Sequence, residues 1–341
     1  VVQSVQGDAD AYGVLNESEY FICYKIGLCY TPHAMAPIVV TSGGSFTDVD
    51  ALACAVAYAE LARLQGKDAV AVLPRPLNHT ITKMVQDQRP VFLKVAPTDV
   101  SGYVLVDISN PTWVEPFVDH AKVVAVFDHH FGYEDYWRER IGDAAQIEMI
   151  GAAATLIWEA WVAAGLEDKI SATSANLLSI AIVSNTLNFK VPITSDRDHT
   201  AFAALAIHTT LPQGWVGKYL AEVEASIGGD LADILPNDLK IETFAEFDQP
   251  IHIAQVEVYD GLAFLTANKQ KLIDFMHHQP SPYAFVDIPS MGDEHTYLLA
   301  ENKEVQDLLS QKLGVSFADN VAVTPTLMLR KMIIKRLRTA D

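Results

Sequence analysis

From Pro37 onward, short apolar runs alternate with longer amphipathic or Ala-rich stretches. Ile38-Val39-Val40-Thr41 is rich in β-branched residues and predicts a buried strand. The loop Ser42-Gly43-Gly44-Ser45-Phe46-Thr47 follows. Asp48-Val49-Asp50 then opens an Ala-rich run to Leu61 that Gly66 closes, the signature of a helix with acids in its first turn. Further apolar runs at 69–73, 103–107 and 123–128 predict strands, with helices expected at about 78–86 and 112–120 between them. This alternation predicts a parallel α/β sheet. Ligands of such sheets bind beyond the carboxyl ends of the strands. The acids fall there: Asp48 and Asp50 just past one strand, Asp107 ending another, Asp128 ending a third.

Helical patterns dominate next, at 152–164, 171–184 and 196–208. The stretch 214–236 reads as helical with a Gly-Gly break at 228–229. Beyond it, 251–258 and 283–288 read as strands, 269–278 and 303–313 as helices, and 327–334 as a final strand. The expected organisation is an extension at 1–37 with a short strand near Phe21–Ile26, an α/β domain at 38–225, a linker at 226–240 and a smaller α+β domain at 241–341.

Composition narrows the function classes. With 341 residues, half of them apolar, the chain suits about two domains with a sizeable core. Against 43 acids stand 24 basic residues, and the net charge of −19 disfavours a basic face for duplex nucleic acid. A metal-binding carboxylate cluster agrees with that sign, and an anionic substrate would need metal ions or a few placed cations. No stretch reaches the roughly 18 apolar residues of a membrane span. Cys23, Cys29 and Cys54 match no zinc spacing and are expected to be reduced. Residues 1–37 show no secretory-signal pattern, so a cytoplasmic location is expected.

The sharpest chemical signal is Asp128-His129-His130. A carboxylate and two imidazoles at a strand end suit a divalent metal: one His ligates, the other contacts substrate, and the Asp holds a ring in place. Each element has a plain alternative. The tripeptide alone fits a surface turn, Asp48 and Asp50 fit helix-end acids, and Asp107 fits a turn. Their joint occurrence in order, each at a strand end, argues against all three.

The ordered set resembles the DHH phosphoesterase superfamily, and within it the family II, manganese-dependent inorganic pyrophosphatases, with the exopolyphosphatase and prune-like branch also close. Thr47-Asp48-Val49-Asp50-Ala51 matches the first motif, Val106-Asp107 the second and Phe127-Asp128-His129-His130 the third. Gly151-Ala152-Ala153-Ala154-Thr155 resembles the helix start that follows, and Ser184-Asn185-Thr186-Leu187-Asn188-Phe189-Lys190 the fourth motif. Thr194-Ser195-Asp196-Arg197-Asp198 resembles the run after it. His252-Ile253-Ala254-Gln255-Val256 and Leu329-Arg330-Lys331 resemble landmarks of the C-terminal DHHA2 domain.

The resemblance implies a parallel-sheet DHH domain followed by a DHHA2 domain, a homodimer, and two Mn2+ (or Mg2+ or Co2+) sites. One metal would take Asp48 and a bridging Asp107. The other would take Asp50, Asp107, His129 and the residue at Asn185. Asp107 and His130 would serve catalysis around a metal-activated water. His130, Lys190, Arg330 and Lys331 would hold phosphate, and Asp128 would support a histidine. The implied substrate is a small anion, pyrophosphate or short polyphosphate.

Three departures qualify this. Gly44 stands where the family carries a metal-binding His, and Asn185 where it carries Asp. A neutral amide oxygen is a poorer ligand for a hard cation. The stretch Gln249-Pro250-Ile251-His252 lacks a lysine that the family often carries there. One site is therefore expected to be weak. His79 follows the next strand and is the one other histidine expected near the missing ligand. Two further functions remain open: an exopolyphosphatase or nucleotide phosphoesterase, and a degenerate homologue that binds phosphorylated ligands. Gly44 and Asn185 are the residues that discriminate.

Overall fold

The computed structural model describes residues 14–15, 36–227, 231–237 and 239–339. The strand expected near Phe21–Ile26, together with Cys23 and Cys29, lies outside them. The first sheet holds β1 (Val14–Leu15), β2 (Ile38–Thr41), β3 (Ala69–Val72), β4 (Phe92–Leu93), β5 (Gly102–Val106), β6 (Val123–Asp128) and β7 (Ala145–Ile147). Every pairing in it is parallel, in the order β1-β4-β3-β2-β5-β6-β7. The chain winds outward from β2 to β3 and β4, then returns to the other side of β2 with β5. The order reverses between β2 and β5, where such sheets leave a crevice at the strand carboxyl ends.

The helices of this half are α1 (Val49–Leu64), α2 (Lys83–Gln86), α3 (Glu134–Ile141), α4 (Ala153–Ala163), α5 (Ala172–Asn185), α6 (Asp196–Leu205), α7 (Trp215–Ile227) and α8 (Leu231–Asn237). Both α1 and α5 are buried along most of their length. They are apolar almost all round because they lie in the middle of one large core, not on its surface.

The second half is a mixed sheet of β8 (Leu239–Glu242), β9 (Ile251–Gln255), β10 (Ala284–Ser290), β11 (His295–Leu299) and β12 (Val321–Val323), in the order β12-β11-β10-β9-β8. It carries α9 (Gly261–His277), α10 (Lys303–Leu313) and α11 (Arg330–Arg338). The segment expected to be a linker, 226–240, contains α8 and the first residues of β8. A cluster of Leu187, Val191 and Ile193 with Met291, Leu327 and Leu329 seals one half against the other. No described helix is long and apolar enough to cross a membrane.

Three expected elements take another form. At 78–86 only α2 is helical; before it, Asn78 Oδ1 accepts from the Thr80 N–H (3.0 Å) and hydroxyl (2.6 Å). Those side-chain bonds compete with helix formation. The stretch 112–120 is a chain of turns, because Pro111 and Pro116 interrupt it and Asn110 Oδ1 binds the Thr112 N–H at 3.0 Å. The expected final strand, 327–334, is mostly the helix α11. Its buried positions Arg330, Ile333 and Leu337 recur at helical spacing, a period that the short apolar run does not reveal.

Candidate metal centre and phosphate cleft

The floor of the crevice is built from the strand ends. Asp48 caps α1, its Oδ1 accepting from Ala51 N–H at 2.9 Å. Asp50, two residues further, is wholly buried, and its two oxygens accept from the Ala153 and Ala154 N–H groups, both at 2.9 Å. It therefore sits at the N-terminus of α4, where free N–H groups and the helix dipole favour an anion. That helix start is itself tied down. Asp198 accepts from Gly151 N–H (3.1 Å) and the Thr155 hydroxyl (2.7 Å), and from the Ser195 backbone and hydroxyl (both 2.8 Å). A Cβ at Gly151 would lie 2.6 Å from Thr186 Cγ2 and 2.8 Å from Asp198 Oδ2, so only glycine fits.

Asp107 leaves β5 with φ of +54°, a left-handed conformation unusual for a residue with a side chain. Its N–H bonds to Phe127 O at 2.8 Å, which anchors the turn to β6. Asp107 Oδ1 comes within 3.2 Å of His129 Nε2 and 3.7 Å of His130 Nδ1. Asp50 Oδ2 lies 3.8 Å from the same His129 nitrogen. Asp128 is buried behind them. Its Oδ1 accepts from the His129 and His130 N–H groups (2.8 and 3.1 Å) and lies 2.8 Å from His130 Nδ1. Asp128 thus fixes the His130 ring and leaves Nε2 for the cleft.

Burial and like charge dominate the titrations. Burial, then the charge of Asp107, pushes Asp50 up to about 7. Burial, with Asp48 and Asp128 adding to it, raises Asp107 well above the carboxylate range. Burial lowers His129 to about 4 and His130 to about 3, so both rings are neutral and able to ligate. Asp128 goes the other way: burial opposes ionisation, but the charge and hydrogen bond of His130 outweigh it and lower its pKa.

Asp107, His129 and His130 can each offer one donor atom, all within 4.8 Å of one another. Asp107 Oδ1 is buried, and no donor reaches it with hydrogen-bond geometry. Such an oxygen beside neutral imidazoles is what a divalent cation completes, so the donors present fit a metal. Asp48, Asp50 and Asn185 stand outside this three-residue cluster. Asp50 is 3.8 Å from its edge, with both oxygens already accepting from α4.

The opposite wall comes from the second half. Lys331, near the start of α11, places Nζ 3.3 Å from Nδ1 and 3.4 Å from Nε2 of His129 and donates to Gly151 O at 3.1 Å. Burial lowers its pKa while Asp50 and Asp107 oppose the fall. Arg330 is buried; its N–H donates to Gln255 Oε1 at 2.6 Å and its Nη1 to Ile253 O at 3.3 Å. Between floor and wall lies a cavity of about 360 Å³. Lys240, Arg330, Lys331, Lys335 and Arg338 all line it, a local excess of positive charge on an acidic chain.

Of the residues expected at the site, Asp48, Asp107, His130, Asn185, Arg330 and Lys331 line this cavity, with Asp50, Asp128 and His129 buried beneath it. Lys190 is not brought in. Leu187, Asn188 and Phe189 form a left-handed turn (φ of +45°, +54° and +65°), and Lys190 then donates to Met291 O at 2.7 Å and pairs with Glu294 at 3.3 Å. Its charge holds the two halves together. His79 lines the cavity with Gly44 and Asp48. The missed residue is Lys240. It lies on β8 opposite Ile253, beside the stretch Gln249-Pro250-Ile251-His252 that carries no lysine. Its positive charge acts on both Asp107 and His130. The alternating Leu239-Lys240-Ile241-Glu242 is the available signal, split by the expected linker boundary at 240.

Gly44 contributes no donor, its φ is +85°, and a Cβ there would meet nothing within 4 Å.

Comparison with known proteins adds independent information. The chain is 30% identical over 222 residues to a probable manganese-dependent inorganic pyrophosphatase of Lactobacillus helveticus, covering 62% of this chain and 68% of the relative. It is 28% identical over 298 residues to a protein of the same description from Listeria innocua, covering 83% of this chain and 92% of the relative. The fold matches the crystal structure of a putative family II inorganic pyrophosphatase of Methanococcus jannaschii, with a TM-score of 0.70 at 19% identity, over 88% of this chain and 98% of that one. No protein-family model matches the chain.

Proposed function

Since the chain belongs to the manganese-dependent inorganic pyrophosphatase family of the DHH phosphoesterases, we propose that it hydrolyses phosphoanhydride bonds of a small anion, with pyrophosphate as the first substrate. The observation that carries this is the buried, unpartnered Asp107 oxygen beside two neutral imidazoles, facing a wall of cations. Asp107 and His129 would hold a divalent metal, with Asp50 the next carboxylate in reach. When bound, the metal supplies activation of the attacking water and neutralises charge at phosphorus. The protein's own groups do the rest. Lys331, Arg330 and Lys240 draw the phosphate oxygens against the floor, Arg as a fork and Lys as point charges. Asp128 keeps the His130 ring oriented, so that Nε2 can take or pass a proton in the cleft. The cavity lies between the two halves, whose low-dielectric walls strengthen each of these charges.

A second, weaker metal site belongs at the Asp48 end. Gly44 offers it nothing, and Asn185 offers an amide where a carboxylate would bind better. The test is phosphate release from pyrophosphate and tripolyphosphate with Mn2+, Mg2+ or Co2+, for wild type and His129→Gln. Metal-dependent release that falls at least about a hundredfold in the variant supports the proposal. A folded wild type that binds pyrophosphate and releases no phosphate with any metal replaces it with a phosphate-binding function.

A further inference from the structure

Two large aromatic side chains line the cavity outside the hydrophobic clusters. Phe46 and Trp113 are half-buried. Neither belongs to any of the four hydrophobic clusters, and among the described residues neither meets another ring or a cation. The other two aromatics of the cavity differ. Phe131 carries the Lys335 ammonium 4.3 Å from its ring centre, and Tyr133 packs on the cluster around Trp137. Phe46 and Trp113 also flank the open position. Gly44 N–H donates to Trp113 O at 2.8 Å, an isolated bridge pairs Gly43 with Val114, and Phe46 follows two residues on. A Cβ at Gly43 would strike Trp113 O at 2.3 Å, so the two loops are held in close contact. At Gly44 itself the space is empty.

We propose that Phe46 and Trp113 form a slot for an aromatic base, and that the site takes nucleoside diphosphates as well as pyrophosphate. Inorganic pyrophosphate has no apolar surface to set against these rings. A planar base has two faces, and stacking on aromatic side chains is the usual way proteins hold one. The cavity of about 360 Å³ falls in the range of about 300–1,000 Å³ that encloses organic ligands. Gly44 gains a purpose: the side chain missing from the weak metal site leaves room at the slot. The phosphates would lie along the Lys331 and Arg330 wall. In the reaction, water oxygen bonds to the terminal phosphorus and the bond from that phosphorus to the bridging oxygen breaks. The bridging oxygen leaves on the nucleoside monophosphate, with orthophosphate and a proton as the other products.

The slot rests on the hydrolase function proposed above, and two readouts separate them. Binding of ADP and of pyrophosphate is measured by calorimetry with Ca2+, for wild type, Trp113→Ala and Trp113→Phe. Turnover of both substrates is measured with Mn2+. The slot predicts that Trp113→Ala weakens ADP binding about tenfold, that Trp113→Phe restores most of it, and that pyrophosphate binding changes less than about twofold in either. Equal ADP affinity in wild type and Trp113→Ala, or no ADP binding where pyrophosphate binds, overturns the slot and leaves the hydrolase standing. Absence of turnover for both substrates overturns the hydrolase, and the binding series alone then decides the slot. A melting curve confirms that the variants fold; if Trp113→Ala does not, Phe46→Leu gives the same comparison.

Discussion

The floor of the cleft and its wall are made by different kinds of structure. The floor is four acids and two histidines that leave the ends of parallel strands or open the helix after one. Their places follow from local chain geometry: Asp107 directly follows β5, Asp128 ends β6, and Asp48 and Asp50 open the helix that the loop after β2 leads into. The wall is five cations on β8 and α11, elements that reach the site only because the second half packs over the first. The floor is buried and over-negative, and Asp50 and Asp107 are pushed up in pKa as a result. The wall is positive, and its buried member, Lys331, is pushed down. In the proposed function a metal and an anionic substrate would lie in the joint between the two halves and balance the charge, and the sequence signals of those halves differ greatly in strength.

The largest expected effect is at the floor. Asp107→Asn should weaken Mn2+ binding and lower pyrophosphate turnover, each at least about a hundredfold. Isothermal titration and phosphate release measure both, and a variant that binds Mn2+ normally would remove Asp107 from the metal centre. The wall comes next. Lys331→Met should raise KM for pyrophosphate by at least about tenfold, whereas Lys190→Met, away from the cavity, should leave KM within about twofold and change only stability, by about 1 kcal/mol or less. Similar KM values for the two variants would undo the assignment of cations to the wall.

Acidity sharpens the contrast further. In the proposed centre, metal binding would need Asp107 ionised, Asp50 ionised as the next carboxylate in reach, and the imidazoles neutral. His129 and His130, held near 4 and 3, are already neutral at pH 6, while Asp50, near 7, still holds a proton. Raising the pH removes protons that compete with the metal, so Mn2+ affinity should rise through neutrality, by up to about tenfold per pH unit for each proton displaced. Asp50→Asn should flatten that rise; a profile unchanged by it would contradict the raised carboxylate. Asp198→Asn, behind the floor, should lower stability by about 2–3 kcal/mol, because it breaks a buried network that fixes α4. Chemical denaturation reads this directly, and an unchanged midpoint would mean that α4 is held by packing alone. The smallest effect is a repair. Gly44→His with Asn185→Asp should improve activity only a few-fold and only at low Mn2+, since a side chain at φ of +85° costs about 1–2 kcal/mol. Space is not the obstacle, because nothing lies within 4 Å of a Cβ at Gly44.

The sequence made the floor legible and the wall much less so. Strands β2, β3, β5 and β6 are continuous apolar runs, as strands largely covered on both faces are, so their ends and the acids beyond them stand out. In α11, residues 330–338 mix basic and apolar positions in a run too short to show its period, and it was expected to be part of a strand. Lys240 was hidden because β8 straddles the end of the expected linker, and its pairing with β9 leaves no local mark. Gly151 and Asp198 both fell in recognisable motifs, but 47 residues separate them and only the folded chain shows that one binds the other. Lys190 shows the converse: a motif residue carried elsewhere by three left-handed neighbours.

Anomalous scattering at the manganese edge, from crystals soaked in Mn2+, tests the metal centre most directly. The first peak to appear should lie about 2.0–2.2 Å from Asp107 oxygen and His129 nitrogen, with a second and weaker peak toward Asp48. A strong peak that touches neither Asp107 nor His129 would contradict the account. Two peaks of equal and early occupancy would show that Gly44 and Asn185 cost the site nothing.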